Sequence, residues 1–542
     1  MKNESILLSQ SNDLAEDYVK AKETAIDFFE YAPYEMASYH ARLTYLKSRP
    51  FAHRNELVNG LMAYNREIGN HSYALERIDT LRQKDTVVVI GGQQAGILTG
   101  PLYSIHKAIS LLQTARRMQE ELGVQVVPVF WIAGEDHDLD EINHTYLLSG
   151  EGRLVKKKLS TEKAGKVSAS QFAFDQEQID KLIHQFFAEQ LETPYTESLR
   201  MEVKKAAEQS ETLVDWFARI MAHLFGKHGL VLVESSSDYI RALEKPVFHS
   251  VVTSSEAIQD LLLAASDKLE RNGYPQQIQL DEKQANLFVY HNGERLLLYR
   301  EGEQFFTKHR ELVMTRTELL RRIDQDPTQF STNVVSRPMA QEHIFPTLAF
   351  IGGPGEIAYW SYFKAYFEKL GYQLPIVLPR TSISLVAGAI ERCMEQFNLT
   401  VSQVISGYSE WKANFLNSLV DANLTEQFAQ ARQEMLSYYR PLVEQVGRLD
   451  QGLEELALTN LKRIEREIHF LETRSKQAQI DKHQIRLKRL ERIETSLLPE
   501  GKLQERMLNL FVFMNLYGPD LVDRLVAAEF SFDATHKVFY LS

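Results

Sequence analysis

Thr86-Val87-Val88-Val89-Ile90-Gly91-Gly92-Gln93-Gln94-Ala95-Gly96 is the stretch on which the fold turns. An unbroken run of β-branched residues reads as a strand buried on both faces, the kind found in parallel sheets. The glycines after it permit a tight turn and a close approach of backbone N–H groups to an anion. Ser104–Leu122 then reads as a helix and Val124–Ala133 as a second apolar strand. The unit is β–Gly–α–β, the seed of a doubly wound parallel sheet.

Working outward, Gly229–Glu234, Thr347–Ile351 and Pro375–Pro379 repeat the short apolar run, and residues 1–84 read as helices. Residues 151–224 are polar and then helical. Residues 246–330 contain Asn292-Gly293 between Leu287–Tyr290 and Arg295–Tyr299, a strong hairpin signal. The expectation is an α/β parallel core (1–150 with 225–245 and 331–390) carrying two insertions (151–224 and 246–330). The C-terminal third is Gly- and Pro-free over Tyr408–Arg440 and Leu453–Leu498. Leu461, Ile464, Ile468 and Leu471 follow a 3-4-3 spacing, and Ser475 and Lys482 then break the register. This predicts an α-helical coiled coil over 391–510 that needs a partner, in a second copy or in the same chain. The segment 511–542 is expected to return to the core, with Lys537–Leu541 as an edge strand.

Composition narrows the classes. A lone Cys393 in 542 residues excludes a disulfide scaffold and Cys-rich zinc modules. A net charge of −12 disfavours nucleic-acid binding. No apolar run is long enough for a membrane span, and MKNESILLSQSND has no apolar signal region, so the expected location is the cytoplasm.

The chemistry concentrates in four segments. In Gly91–Pro101 the turn residues Gly92, Gln93, Gln94, Gly96, Thr99 and Gly100 are candidates to cradle an anion, with His106 in the following helix; the Gly-x-Gly-x-x-Gly and P-loop patterns are absent. Glu135-Asp136-His137-Asp138-Leu139-Asp140-Glu141-Ile142-Asn143-His144 crowds carboxylates and imidazoles at a strand's carboxyl end. That density suits a general base or a cation site. If the segment is helical, His137, Glu141 and His144 share a face as a metal trio. Arg337 precedes a second strand–glycine turn, Gly352-Gly353-Pro354-Gly355-Glu356, with Trp360 behind it. Arg337 suits a carboxylate or phosphate, Glu356 a helix cap or a substrate amine, and Trp360 a flat ligand or the core. Arg380 and Ser382 end the last strand, a placement for anion capture. Cys393 reads as a packed side chain.

Together GGQQAGILTGPLYSIHKA, FWIAGEDHDLDEINH, SRPMAQEHIFPTLAFIGGPGEIAYW and VLPRTS, followed by a long coiled coil, resemble the bacillithiol biosynthesis cysteine-adding enzyme family, BshC, over essentially the whole chain. The resemblance implies a Rossmann-type core with two connecting-peptide insertions and a C-terminal coiled coil used for homodimerisation. It implies a ligase that joins L-cysteine to glucosaminyl-malate through an amide, with ATP/ADP as the suspected activating nucleotide. Asp136, His137 and Asp138, with Glu135 and His106, would be catalytic. Glu356 would hold an ammonium group, and Arg337 or Arg380 the malate carboxylates or a phosphate. Another nucleotidyl- or adenylyl-transferase on the same core, or a coiled-coil scaffold with an inactive core, are the alternatives.

Overall fold

A computed structural model describes residues 2–161 and 167–541; of the first expected insertion, 162–166 lie outside the described residues. The chain divides into two compact units, Met1–Gly388 with Gly501–Ser542, and Ala389–Glu500.

In the first unit the apolar runs become a five-stranded parallel sheet, ordered Ile376–Pro379, Thr347–Gly352, Val87–Gln93, Val126–Ile132, Val231–Glu234. Numbered along the chain this is 5-4-1-2-3, the order of a Rossmann half, and its switch point lies between the 87–93 and 347–352 strands. Val87–Ile90 and the whole of Val126–Ile132 are buried, which is why these runs lack polar alternation. The Leu102–Leu122 helix, ended by Gly123 in the left-handed region (φ 64°), makes the first crossover.

The second insertion forms an antiparallel five-stranded sheet whose central hairpin pairs Gln284–His291 with Glu294–Glu301. Asn292 (φ 51°) and Gly293 (φ 82°) both sit at positive φ, as a two-residue type I′ turn demands. A third sheet was not foreseen. His536–Leu541, expected as an edge strand, is the middle strand between Lys2–Ile6 and Ile383–Ala387. The polar composition of Lys2–Ile6 hid that strand within a stretch read as helices. Ile383–Ala387 supplies the third strand.

The second unit is helical: Val401–Ser418, Ala422–Leu449, Gln451–Asp481 and Gln484–Leu497. Ala422–Leu449 and Gln451–Asp481 form an antiparallel hairpin turning at Asp450, held by Arg432–Glu472 (2.6 Å) and Tyr439–Asn460 (2.6 Å). The Gly-free run 453–498 is therefore two helices, broken at Lys482–His483 where the register fails. Leu461 is buried, but the seam then passes to Glu472, and Leu471 is exposed. Residues 501–510, expected with the coiled coil, belong to the first unit. Cys393 is free and half-buried. Among the described residues no helix is long and apolar enough to cross a membrane.

One buried and one half-buried histidine make this fold acid-sensitive. Burial pushes His536, bonded through Nδ1 to Ser382 Oγ (2.8 Å) and Nε2 to Ser384 Oγ (2.9 Å), down to about 4. Burial, with the charges of His53 and Arg49, does the same to His343, also to about 4. Between those values and the unfolded value near 6.5 the unfolded chain binds more protons, so stability falls as pH drops through that window. The melting temperature should decline from about pH 6.5 to 4, and His536→Asn should flatten that slope; an unchanged slope refutes the assignment.

Candidate active site

A cavity of about 630 Å³ opens at the carboxyl ends of the parallel strands, on the switch point. Gly92, Gln93 and Gln94 come from the first glycine turn, Glu135, Asp136 and His137 from the second strand's end, and Arg337, Glu356 and Tyr359 from the 336–360 region. The far wall is supplied by the second insertion: Phe288, Arg295 and Leu297 face the cavity, while Leu287, Val289 and Leu298 face that sheet's own core.

Close backbone packing explains the glycine in the floor. A Cβ on Gly92 would stand 2.8 Å from the Trp131 carbonyl. Gln94 Nε2 donates to Asp136 Oδ2 (2.6 Å) and Glu141 Oε2 (2.8 Å), so one amide holds two carboxylates. Asp136 Oδ1 lies 4.0 Å from His137 Nδ1, and both side chains are about a third exposed (37% and 36%).

Two carboxylates of the site already have cations. Buried Glu135 pairs with Arg241 (2.5 Å) and accepts from Thr332 Oγ1 (2.9 Å). Arg241 also pairs with Glu244 (2.5 Å), whose carboxyl burial lifts to about 7 despite that guanidinium. Glu356 Oε2 accepts from Lys107 Nζ (2.5 Å) and from the Gly353 N–H (2.8 Å), the N-cap amide of its own helix. Arg295 and Arg337 differ: among the described residues their hydrogen bonds go to no carboxylate. Arg295, 7% exposed, donates to Ser331 Oγ (2.8 Å) and the Thr332 carbonyl (2.6 Å), approaches His137 Nδ1 (3.4 Å), and lies over Phe288 (3.9 Å). Arg337 reaches Gln341 (3.3 Å) and Tyr359 (3.4 Å). Neither forms an ion pair among the described residues.

Other expected site residues stand elsewhere. His106 is fully buried, with Nδ1 2.9 Å from Glu505 Oε2; Glu505 takes Arg380 at 2.6 and 2.9 Å. Burial opposes ionisation of Glu505, yet Arg380 and His106 hold it well below the usual carboxylate range. Ser382 bonds His536, and Trp360 stacks on Phe350 (4.5 Å) in the core. Gly96 packs on Gly100, and Thr99 is buried beside them at φ 73°. Gly352, Gly353 and Gly355 shape the second turn, where the Gly353 N–H serves Glu356. Asp138 is the exposed N-cap of a one-turn helix, Leu139–Ile142. That short helix also undoes the metal trio: His137 precedes it and His144 begins the next strand, where Nδ1 lies 2.9 Å from the Asp140 carbonyl. Among the described residues no three His, Cys, Asp or Glu side chains gather as a metal site.

Sequence reasoning missed Arg295 and Arg241. Arg295 was legible in part, since the Asn292-Gly293 hairpin places it on the face shared with Leu297.

A parallel sheet in Rossmann order, with a ligand-sized cavity at its switch point, is the architecture of a ligand-binding α/β core. Residues 1–381 match the family model "Bacillithiol biosynthesis BshC, N-terminal Rossmann-like domain", and 383–541 match "Bacillithiol biosynthesis BshC, C-terminal coiled-coil domain". A relative from Bacillus cytotoxicus named "Putative cysteine ligase BshC" is 37% identical over 97% of both chains. One of the same name from Geobacillus kaustophilus is 36% identical over 100% of both. The chain belongs to the BshC family.

The buried network predicts a stability effect separable from the cavity. Glu505→Ala leaves Arg380 buried without its partner and should cost about 3–5 kcal/mol in urea denaturation. A loss below about 1 kcal/mol, the scale of an exposed ion pair, would show the network to be unimportant for stability.

Proposed function

We propose that this chain is a cytoplasmic ligase that joins L-cysteine to glucosaminyl-malate through an amide bond. The observation that carries this reading is two guanidiniums, Arg295 and Arg337, without counter-ions among the described residues, beside the Asp136–His137 pair in one cavity. Charges taken out of water call for partners, and a substrate with two carboxylates provides them. Arg337, with Arg295, holds the malate end. Asp136, oriented by Gln94, and His137 take the proton that the sugar ammonium loses before nitrogen attacks the cysteine carboxyl carbon. The new N–C bond replaces a C–O bond. ATP is the proposed cosubstrate, whose phosphate carries away that oxygen; the same guanidiniums suit phosphate. Glu356 receives the cysteine ammonium group. The free Cys393 accords with a reducing compartment.

Incubation with L-cysteine, glucosaminyl-malate and ATP should yield the amide by mass spectrometry, with ADP or AMP. Asp136→Asn should lower kcat about 10²–10⁴-fold, and Arg337→Ala should raise KM for the sugar acid more than for cysteine. No amide from folded protein under any activating condition refutes the reading.

The helical unit is proposed to form a homodimer. Near the hairpin turn Tyr438 (77%), Leu442 (52%), Leu449 (82%) and Leu456 (65%) are exposed, an apolar group that a second copy would cover. Light scattering should report a dimer, and Leu442→Glu with Leu456→Glu should return a folded monomer; a wild-type monomer at micromolar concentration refutes it.

A further inference from the structure

Lys107 is a buried cation outside the cavity lining. It lies on the Leu102–Leu122 helix, 1% exposed, and its stem packs toward the 87–93 strand, 3.4 Å from where a Gly91 Cβ would stand. Its Nζ donates to the Gly92 carbonyl (2.5 Å) and to Glu356 Oε2 (2.5 Å). Gly92 lies at the end of the 87–93 strand, where the first glycine turn begins, and Glu356 lies in the first turn of the helix after the second. These two turns flank the switch point, on adjacent strands. One ammonium group therefore ties together the two turns that floor the cavity.

The geometry at Glu356 is asymmetric. Oε2 takes both Lys107 and the Gly353 N–H, whereas Oε1 takes no hydrogen bond among the described residues. The side chain is 24% exposed and lines the cavity. A carboxylate fixed through one oxygen presents the other in a constant direction.

We propose that Lys107 is a positioning residue: by anchoring Glu356 Oε2 against the Gly92 carbonyl it holds Oε1 ready for a substrate ammonium group, and so makes the site select amine-bearing thiols over their deaminated counterparts. The proposal rests on the amide-ligase reading for the identity of the thiol, not for the role of Lys107. Burial draws the Lys107 ammonium below the ordinary lysine value, opposed by Glu356, as expected of a cation with a single carboxylate partner.

The test is calorimetric binding of L-cysteine and of 3-mercaptopropionate, which lacks only the α-ammonium group, to the wild type, Lys107→Met, Glu356→Gln and the double variant. The wild type should prefer cysteine by about 10- to 100-fold, the scale of one charge-assisted hydrogen bond. Lys107→Met should erase most of that preference with little change for 3-mercaptopropionate. The double variant should bind cysteine no worse than Glu356→Gln alone, because the two residues act through one contact. It also buries no unpaired charge, so its comparison with Glu356→Gln decides the matter if Lys107→Met does not fold. A retained preference in Lys107→Met, an equal loss for both thiols, additive losses in the double variant, or no wild-type preference overturns the proposal. Amide formation by the wild type is scored separately. Its absence alongside the expected binding pattern would refute the ligase reading and leave the role of Lys107 standing.

Discussion

A charged carboxylate taken out of water needs compensation, and four carboxylates of this core find it in cations drawn from other parts of the chain. Glu135 has Arg241, Glu356 has Lys107, and Glu505 has Arg380. Glu342 has Arg42 and Arg49 at 2.7 and 2.8 Å. Such pairs add little net stability over apolar replacements, but removing one partner is severe. Their effect is to lock elements in place. Arg42 also donates to the carbonyls of Thr347 and Gln373, joining an N-terminal helix to the 347–352 strand and the loop before the last core strand. Lys107 does the same for the two glycine turns.

Against that background the cavity's own charges stand out. Among the described residues its wall carries two guanidiniums, Arg295 and Arg337, that pair with no carboxylate, alongside Glu135 and Glu356, which are already paired. In the proposed reading Arg295 and Arg337 take a ligand's anionic groups and Glu356 its ammonium group. A ligand that satisfies both sides carries anionic and cationic groups across one cavity. That is the charge pattern of an amino acid meeting a dicarboxylate-bearing amine.

The strand–glycine–helix turns were legible because their signals are local: a β-branched run, then glycines. The Asn292-Gly293 hairpin was legible for the same reason. What was not legible depends on contacts far apart in sequence. Nothing near Lys107 announces Glu356, and nothing near Glu135 announces Arg241. His106, Arg380 and Ser382 had the right chemistry and the right strand ends, but residues beyond position 500 claim them: Glu505 takes the first two, and His536 takes Ser382. The metal trio failed on a local point, since it assumed continuous helix where the chain makes one turn and enters a strand. In the helical unit the 3-4-3 pattern gave the hairpin helix correctly until Glu472 took the buried position beside exposed Leu471.

The same contacts bear on where the chain can be cut. The two family models meet near residue 382, yet the first compact unit needs Gly501–Ser542. Gln504 exchanges two hydrogen bonds with Leu385 (2.8 and 2.9 Å). Buried Asn509 donates to the carbonyls of Leu98 (2.8 Å) and Gly100 (3.0 Å), pinning the first glycine turn. Leu98 and Thr99 hold positive φ there, an arrangement that non-glycine residues keep only when their surroundings enforce it. A chain ending at 381 would lose Glu505 and Asn509 together. Arg380 would remain without a carboxylate, and the turn would lose the side chain that holds its carbonyls. The helical unit is therefore an excursion within the core's own sequence, and the segment after it completes the turn that leads into the Lys107 helix.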